Sequence, residues 1–377
     1  MITLFSLLPF AAWIYLIALR GRFWRSGPSL ELKIPASDPR ITVVVPARDE
    51  AQTIRQCLAS LLSQDYPGEL SIILVDDNSS DGTADIAASL GGTDRLIVLR
   101  GAPLQAGWSG KLWAVHQGLV HEKARAADYV LLTDADIVHA PGHIAALAAK
   151  AEADRLDLVS EMVRLNCATG AERALIPAFV YFFQMLYPFA WVADPEIHIA
   201  GAAGGTMLVR RIALDRVDGV ARIRHQLIDD CALAKEIKST GGRIWLGHAD
   251  RTVSLRVYTG WRDVWDMIAR TAYVQLHYSL LLLLGCLTAM SVIFCAPPAL
   301  AIFAHELPRA LGLLAWALMA LSFQPTLLRY NRSPLWGFAL PAISLFYLGA
   351  TLASAVLHYT GRGGGWKNRV YPQVPAA

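Results

Sequence analysis

The chain has 377 residues, 54% of them hydrophobic and only 17% charged, which is too apolar for an ordinary soluble protein and implies a membrane share. Its net charge of +3 is too small to point to a nucleic-acid partner. Its five cysteines form no C-x-x-C pair, which argues against a disulfide framework or a zinc site and suits a reducing compartment.

Residues 1–19 carry no charge and read as an N-terminal spanning helix, close to the lower length limit for one. Arg20, Arg22 and Arg25 follow it, which disfavours a cleaved signal peptide and predicts a cytoplasmic side for what comes next. The basic, proline-containing stretch 20–40 reads as a linker. Strands and helices then alternate. Thr42–Val45 predicts a strand, Pro46-Ala-Arg-Asp-Glu50 a loop, and Ile54, Cys57, Leu58, Leu61 and Leu62 mark one stripe of a helix. Ser71–Val75 predicts a second strand, closed by Asp76-Asp-Asn-Ser-Ser-Asp-Gly82, with a helix to about Leu90. Leu96–Leu99 predicts a third strand, and a helix from Leu112 to about Lys123 leads to the strand Tyr129–Leu132. Such units imply a mostly parallel sheet with ligands at the carboxyl ends of its strands.

The strand Tyr129–Leu132 ends in Asp134-Ala-Asp136, two carboxylates that an extended chain would point the same way. A hard divalent cation relieves their repulsion and brings phosphate as a further ligand. On its own the tripeptide is a weak signal and suits a solvated turn better. Further on, Asp157–Ser160, Thr206–Arg210 and Arg243–Leu246 predict short strands, and Asp229-Asp230 opens a helix ending near Gly241. The uncharged, aromatic run Ala174–Ala193 contains Pro177 and Pro188, which argue against a simple spanning helix. It reads either as an interfacial segment or as buried core. Trp261, Val264, Trp265, Ile268 and Ala272 share a helical face opposite Arg262, Asp263, Asp266 and Arg270, a pattern for an interfacial or a core helix. Three charge-free runs follow, Tyr278–Ala304, Ala310–Leu328 and Leu335–Tyr359, each of spanning length. Arg329 and Arg332 predict a cytoplasmic loop between the last two; Arg362, Lys367 and Arg369 then fall outside, against the usual charge bias. The resulting division is 1–19, 20–40, a catalytic domain 41–253, an amphipathic helix 254–276, three spans within 277–359 and a tail 360–377. There is no internal repeat.

Taken jointly and in order, Thr42-Val-Val-Val-Pro46-Ala-Arg-Asp-Glu50, Val75-Asp-Asp-Asn-Ser-Ser-Asp-Gly-Thr83, Asp134-Ala-Asp136 and Asp229-Asp230-Cys-Ala-Leu233 resemble a family 2 glycosyltransferase of the GT-A fold. Gly107-Trp-Ser-Gly-Lys111 and Gly365-Trp-Lys-Asn-Arg-Val-Tyr371 resemble its hopene-associated branch, related to ceramide glucosyltransferase. The resemblance implies an α/β nucleotide-diphospho-sugar transferase domain, with a mostly parallel mixed sheet and helices on both faces, joined to transmembrane helices. It implies that Pro46, Arg48 and Glu50 line the base and ribose, that Asp76 or Asp77 hydrogen-bonds the base, a uracil, and that Asp134 sits near the ribose. Asp136 would bind Mg²⁺ or Mn²⁺, Lys111 would lie near the phosphates unless it is merely an exposed helix-start lysine, and Asp230 would be the catalytic base. Asp229 and Asp230 could instead simply cap their helix, a role that suits Asp229 better. Where many relatives carry Gln-x-x-Arg-Trp, this chain has Met267-Ile-Ala-Arg270-Thr271, which keeps only Arg270 and weakens the case for a processive synthase.

The expected function is therefore single-sugar transfer, with inversion, from a UDP-sugar to a lipid alcohol such as a hopanoid. The expected place is a multi-pass protein of the inner membrane with its catalytic domain in the cytoplasm, where Ser109 is expected in an exposed loop. A polysaccharide synthase and an idle nucleotide-sugar-binding partner are the alternatives.

Overall fold

A computed structural model describes residues 2–91, 94–361, 365–366 and 369–370. Most of the tail, including Arg362 and Lys367, lies outside the described residues, as do the side chains of Gly365–Tyr371.

Eight strands form one mixed sheet: β1 (Ile41–Ala47), β2 (Leu70–Asp76), β3 (Leu96–Arg100), β4 (Tyr129–Leu132), β5 (Ile137–His139), β6 (Leu158–Arg164), β7 (Met207–Arg210) and β8 (Ile244–Ser254). Their spatial order is β3-β2-β1-β4-β7-β6-β8-β5. The half built from β3, β2, β1 and β4 is parallel; β7 runs antiparallel to β4 and β6, and β5 antiparallel to β8. Every residue of β1, β2 and β4 is buried, as expected of strands covered on both faces, and their runs of Val, Ile and Leu give no alternation. Val44 and Val130 point into one core layer and Val43, Val45 and Leu131 into the other, so helices cover both faces.

Several elements differ from the sequence reading. β1 extends through Pro46, at the strand end where a missing amide costs least. β8 is eleven residues long rather than four, because it stays paired with β6 through Gly247 and His248 and then pairs over Thr252–Ser254 with β5, a strand too short to carry a periodic signal. The alanine-rich helix His143–Ala153 has eight buried residues and no polar face to announce it. The linker is docked: Phe23 is buried, and the Pro28 carbonyl accepts a hydrogen bond from the His248 amide at 2.8 Å.

The aromatic run becomes the helix Gly170–Leu186, capped reciprocally by Thr169 and Glu172, and Pro177 is accommodated in its interior. Ten of its seventeen residues are buried. Ile176 and Val180 pack into the domain core, while Leu175 and Tyr181 pack among the apolar helices, so the segment joins the two parts instead of lying on a surface. The helix Trp261–Gln275 likewise turns one face, with Val264, Ile268, Ala269 and Tyr273 buried, against protein. It runs beside Leu340–Tyr359, with Trp265 and Phe346 ring centroids 5.1 Å apart and the Tyr273 amide donating to Ser354 Oγ at 3.0 Å. Trp261 stays half exposed.

Among the described residues, three helices are long and apolar enough to cross a membrane: Leu280–Phe303, Glu306–Arg329 and Pro334–Tyr359. The N-terminal helix Ile2–Ala18 is shorter, and Trp13 ties it to the first of them by donating to the Ile293 carbonyl at 2.8 Å, within a π-helical turn over Ser291–Cys295.

Candidate active site

The loops after β1 and β2 face each other and are knitted by short polar side chains. The Asp49 amide donates to Ser79 Oγ at 3.0 Å, the Ser80 amide to Asp49 Oδ1 at 2.9 Å, and the Glu50 amide to Thr83 Oγ1 at 2.8 Å. Arg48 donates to the Asp77 carbonyl and lies 3.7 Å from its Oδ2. Asp76 is buried at the end of β2; its Oδ2 accepts from the Ser79 amide, whereas its Oδ1 has no hydrogen-bond partner among the described residues. A buried acceptor without a donor is costly, and a ligand N–H would satisfy it.

A cavity of about 680 Å³ opens beside these loops, and Pro46, Glu50, Lys111, Asp134, Asp136, Asp230 and Arg270 share its wall. Arg48, Asp76 and Asp77 are not in that wall. From the carboxylates the cavity runs past Phe182, Phe183 and Tyr187 to Phe294, Tyr347 and Thr351 of the apolar helices.

Asp134 and Asp136 leave β4 together, and each has its own cation. Lys111 Nζ is 2.9 Å from Asp134 Oδ1, and Arg256 Nε is 3.1 Å from Asp136 Oδ2. Burial, and then the charge of Asp134, raise the pKa of Asp136, which is the repulsion a divalent cation would relieve. Two hard oxygen donors, with room beside them for phosphate and water, suit Mg²⁺ or Mn²⁺. No group of three metal-ligating side chains occurs among the described residues, so the remaining ligands would have to come from substrate and water.

Lys111 is not an exposed helix-start lysine. It opens the helix Gly110–Val120, which Ser109 caps, and it bridges Asp134 to Asp229 at 3.1 Å. Burial opposes its charge, but Asp134 and Asp229 more than offset this and hold its pKa up. Ser109 itself is 5% exposed, contrary to the expected loop position, because capping turns it inward. Asp229 does not cap its helix either: Ile228 stands at the cap, and the Asp229 carboxylate is drawn to Lys111 instead. Asp230 accepts from the Gly204 amide at 2.9 Å. Burial, then the neighbouring Asp229, push its pKa up to about 6; Lys111 and the Cys231 and Gly204 amides offset them only in part. A Cβ on Gly204 would lie 3.5 Å from both Asp230 Oδ2 and Lys111 Nζ, so its absence keeps the space between them open.

Sequence reasoning missed two contributors. Arg256 gave no signal because it follows an unpredicted part of β8. Thr133 donates to the Gly205 carbonyl at 2.7 Å and lies 3.0 Å from His139 Nε2, which fixes the approach to Asp134. His139 contacts His143, and His143 contacts Glu161, in a fully buried chain whose members are scattered in sequence.

Comparison with known proteins fits this geometry. The chain is 27% identical over 208 residues to the probable glycosyltransferase YdaM of Bacillus subtilis, covering 54% of this chain and 46% of that protein. It is 32% identical over 97 residues to the 4,4'-diaponeurosporenoate glycosyltransferase of Staphylococcus aureus, covering 26% of this chain and 24% of the relative. The alignments therefore span less than half the length of these curated relatives. Among solved structures, the mannosyltransferase PcManGT from Pyrobaculum calidifontis, in complex with GDP-Man and Mn²⁺, superposes with a TM-score of 0.60 at 21% identity, over 95% of this chain and 99% of that one, and so shares the fold. Residues 42–218 match the sequence model of glycosyl transferase family 2, and the mixed sheet around them has the GT-A fold.

Proposed function

We propose that this protein is a membrane-anchored, inverting glycosyltransferase that moves one sugar from a nucleotide sugar, read as a UDP-sugar, to a lipid alcohol, with hopanoids as the candidate acceptors. The observation that carries this reading is the single cavity that joins Asp136 and Asp230 to Phe294, Tyr347 and Thr351 of the apolar helices. An acceptor with an apolar body can stay among those helices while its hydroxyl reaches the carboxylates. Leaving the bilayer would cost about 0.8 kcal/mol for every CH₂ exposed. The diaponeurosporenoate in the name of the Staphylococcus relative supports an apolar acceptor, and the GDP-Man and Mn²⁺ of the Pyrobaculum structure support a nucleotide sugar with a divalent metal.

In this reading the base and ribose lie against Pro46, Glu50 and the Asp76–Asp77 loop, with Asp76 Oδ1 accepting from the base. Asp136, with Asp134 beside it, would hold Mg²⁺ or Mn²⁺, which when bound neutralises the diphosphate leaving group. Lys111 lies close enough to Asp134 to share that task. Asp230 takes the proton from the acceptor hydroxyl as its oxygen bonds to the anomeric carbon; the bond from that carbon to the diphosphate oxygen breaks, and the diphosphate keeps the electron pair. One displacement inverts the anomeric configuration, as in inverting glycosidases with an alcohol in place of water. Gly204 keeps the sugar's place free of side chain. Thr271 stands where a synthase would have tryptophan, which together with few apolar helices weighs against a polymer channel.

Both flanking basic groups turn toward the domain: Arg20 donates to the Met185 carbonyl at 3.1 Å, and Arg329 pairs with Asp250. This supports a cytoplasmic, inner-membrane placement. Ala106, in an exposed loop, is the site for a cysteine test; rapid labelling of Ala106→Cys in sealed cells by an impermeant reagent would overturn that side. The reaction itself is tested by incubating membranes with labelled sugar nucleotides and total lipid extract. The expected product is a labelled lipid of low mass; a retained polymer or binding without turnover would overturn it.

A further inference from the structure

Arg256 stands in the wall of the same cavity, with its guanidinium Nε 3.1 Å from Asp136 Oδ2 and Nη2 3.9 Å from Glu50 Oε1. The pairing is built into the sheet. Ile137 of β5 lies opposite Ser254 of β8, and the Leu255 amide donates to the Asp136 carbonyl at 2.7 Å. Asp136 and Arg256 therefore leave neighbouring strands side by side. On the other side, Lys111 holds Asp134 and Asp229. Both carboxylates of the pair are thus already matched to a fixed cation. A bare divalent ion entering here would have to displace the guanidinium, would face its charge at short range, and would find few protein oxygens.

Building on the nucleotide-sugar reading, we propose that Arg256 makes metal binding wait for the donor. It occupies Asp136 in the donor-free enzyme and passes to the diphosphate oxygens when the nucleotide arrives, freeing Asp136 for the cation. A guanidinium fits phosphate oxygens as well as it fits a carboxylate, so the exchange leaves no charge unpaired. It also supplies a cationic hold on the donor in a chain whose helix Trp261–Gln275 offers Met267 and Thr271 in place of glutamine and tryptophan. Coupling of this kind is reciprocal: the factor by which the nucleotide tightens the metal is the factor by which the metal tightens the nucleotide.

The test is a titration of the full-length protein with Mn²⁺, followed by the electron paramagnetic resonance signal of free Mn²⁺, with and without UDP or GDP. In the wild type, the nucleotide is expected to tighten Mn²⁺ by about tenfold or more. Arg256→Gln is expected to bind Mn²⁺ more tightly than wild type without nucleotide, and to lose most of the gain the nucleotide brings. Arg256→Lys, which keeps the charge, should stay near the wild type, and Arg256→Met replaces the glutamine variant should that one not fold. Equal Mn²⁺ affinity of wild type and a folded, uncharged variant without nucleotide overturns the proposal while leaving the transferase reading intact. Failure of the wild type to bind either nucleotide with Mn²⁺ overturns the transferase reading itself, and this proposal with it.

Discussion

The two ends of the cavity are made in opposite ways. At the donor end, loops only a few residues long are cross-tied by Asp49, Ser79, Ser80 and Thr83, so position is set by hydrogen bonds between segments about 30 residues apart. At the acceptor end, Phe182, Tyr187, Met267, Phe294 and Tyr347 are brought together from four separate helices mainly by apolar packing, with only the Tyr187 and Tyr347 hydroxyls tied, to Gln275 at 2.6 Å and to the Leu175 carbonyl at 2.9 Å. Hydrogen bonds specify one geometry and tolerate little change, while an apolar wall accepts a range of shapes. On the proposed reading, the donor end would recognise one class of head group, and the acceptor end would admit an apolar body without reading it closely. Lys111, Asp230 and Gly204 stand at the junction.

The comparison can be broken most severely at the donor end. Asp136→Ala should abolish turnover with the fold intact, since it removes the buried carboxylate that would hold the cation; full activity of the wild type in excess chelator would sink the metal assignment. Asp230→Asn, at the junction, should lower kcat by about 10²–10⁴ while donor affinity stays nearly unchanged. Near-normal turnover, or a product that keeps the donor's anomeric configuration, would reject Asp230 as the base. A smaller and different effect is expected at the acceptor end. Phe182→Ser and Phe183→Ser should raise the KM for lipid by about tenfold and leave the KM for donor close to its original value. Equal use of a water-soluble acceptor and a lipid by the wild type would erase the distinction between the two ends.

The same contrast explains what is legible in the sequence. Strands β1, β2 and β4 and the acidic stretches that end them are contiguous, so their apolar runs and carboxylates can be read directly along the chain. Asp134, Asp136, Lys111 and Asp230 do come together around one space, which no single stretch could reveal. The fit of Arg256 to Asp136 depends on the antiparallel pairing of β5 with β8, and β5 is three residues long. The His139–His143–Glu161 chain is similarly a product of tertiary packing, its members inconspicuous among ordinary helix and strand residues. Where the sequence left interfacial and core readings both open, the helices Gly170–Leu186 and Trp261–Gln275 bury much of their apolar surface against protein. An amphipathic stripe reports that a face is covered, not by what.

The smallest effect is a pH dependence of stability, and its sign follows from Asp230. In the folded chain this carboxyl keeps its proton up to about pH 6, against an ordinary value of 3.8. Below about pH 4 it is protonated in both folded and unfolded states, and its burial then costs little. Between about pH 4 and pH 6 the folded state binds more protons than the unfolded one, so stability falls as pH rises. Above the folded pKa the carboxylate is ionised in a buried site, and that loss is complete. Asp230→Asn removes the ionisation but keeps an oxygen that can accept from the Gly204 amide. The variant should therefore match the wild type in Tm below about pH 4 and exceed it by a few degrees at neutral pH. The acid limb of the wild-type rate profile should fall in the same range, near pH 6, because the base acts only when ionised. Thermal unfolding of both proteins in detergent across this range measures the difference, and a Tm gap that does not change with pH would show that Asp230 is not held in the buried, proton-binding state.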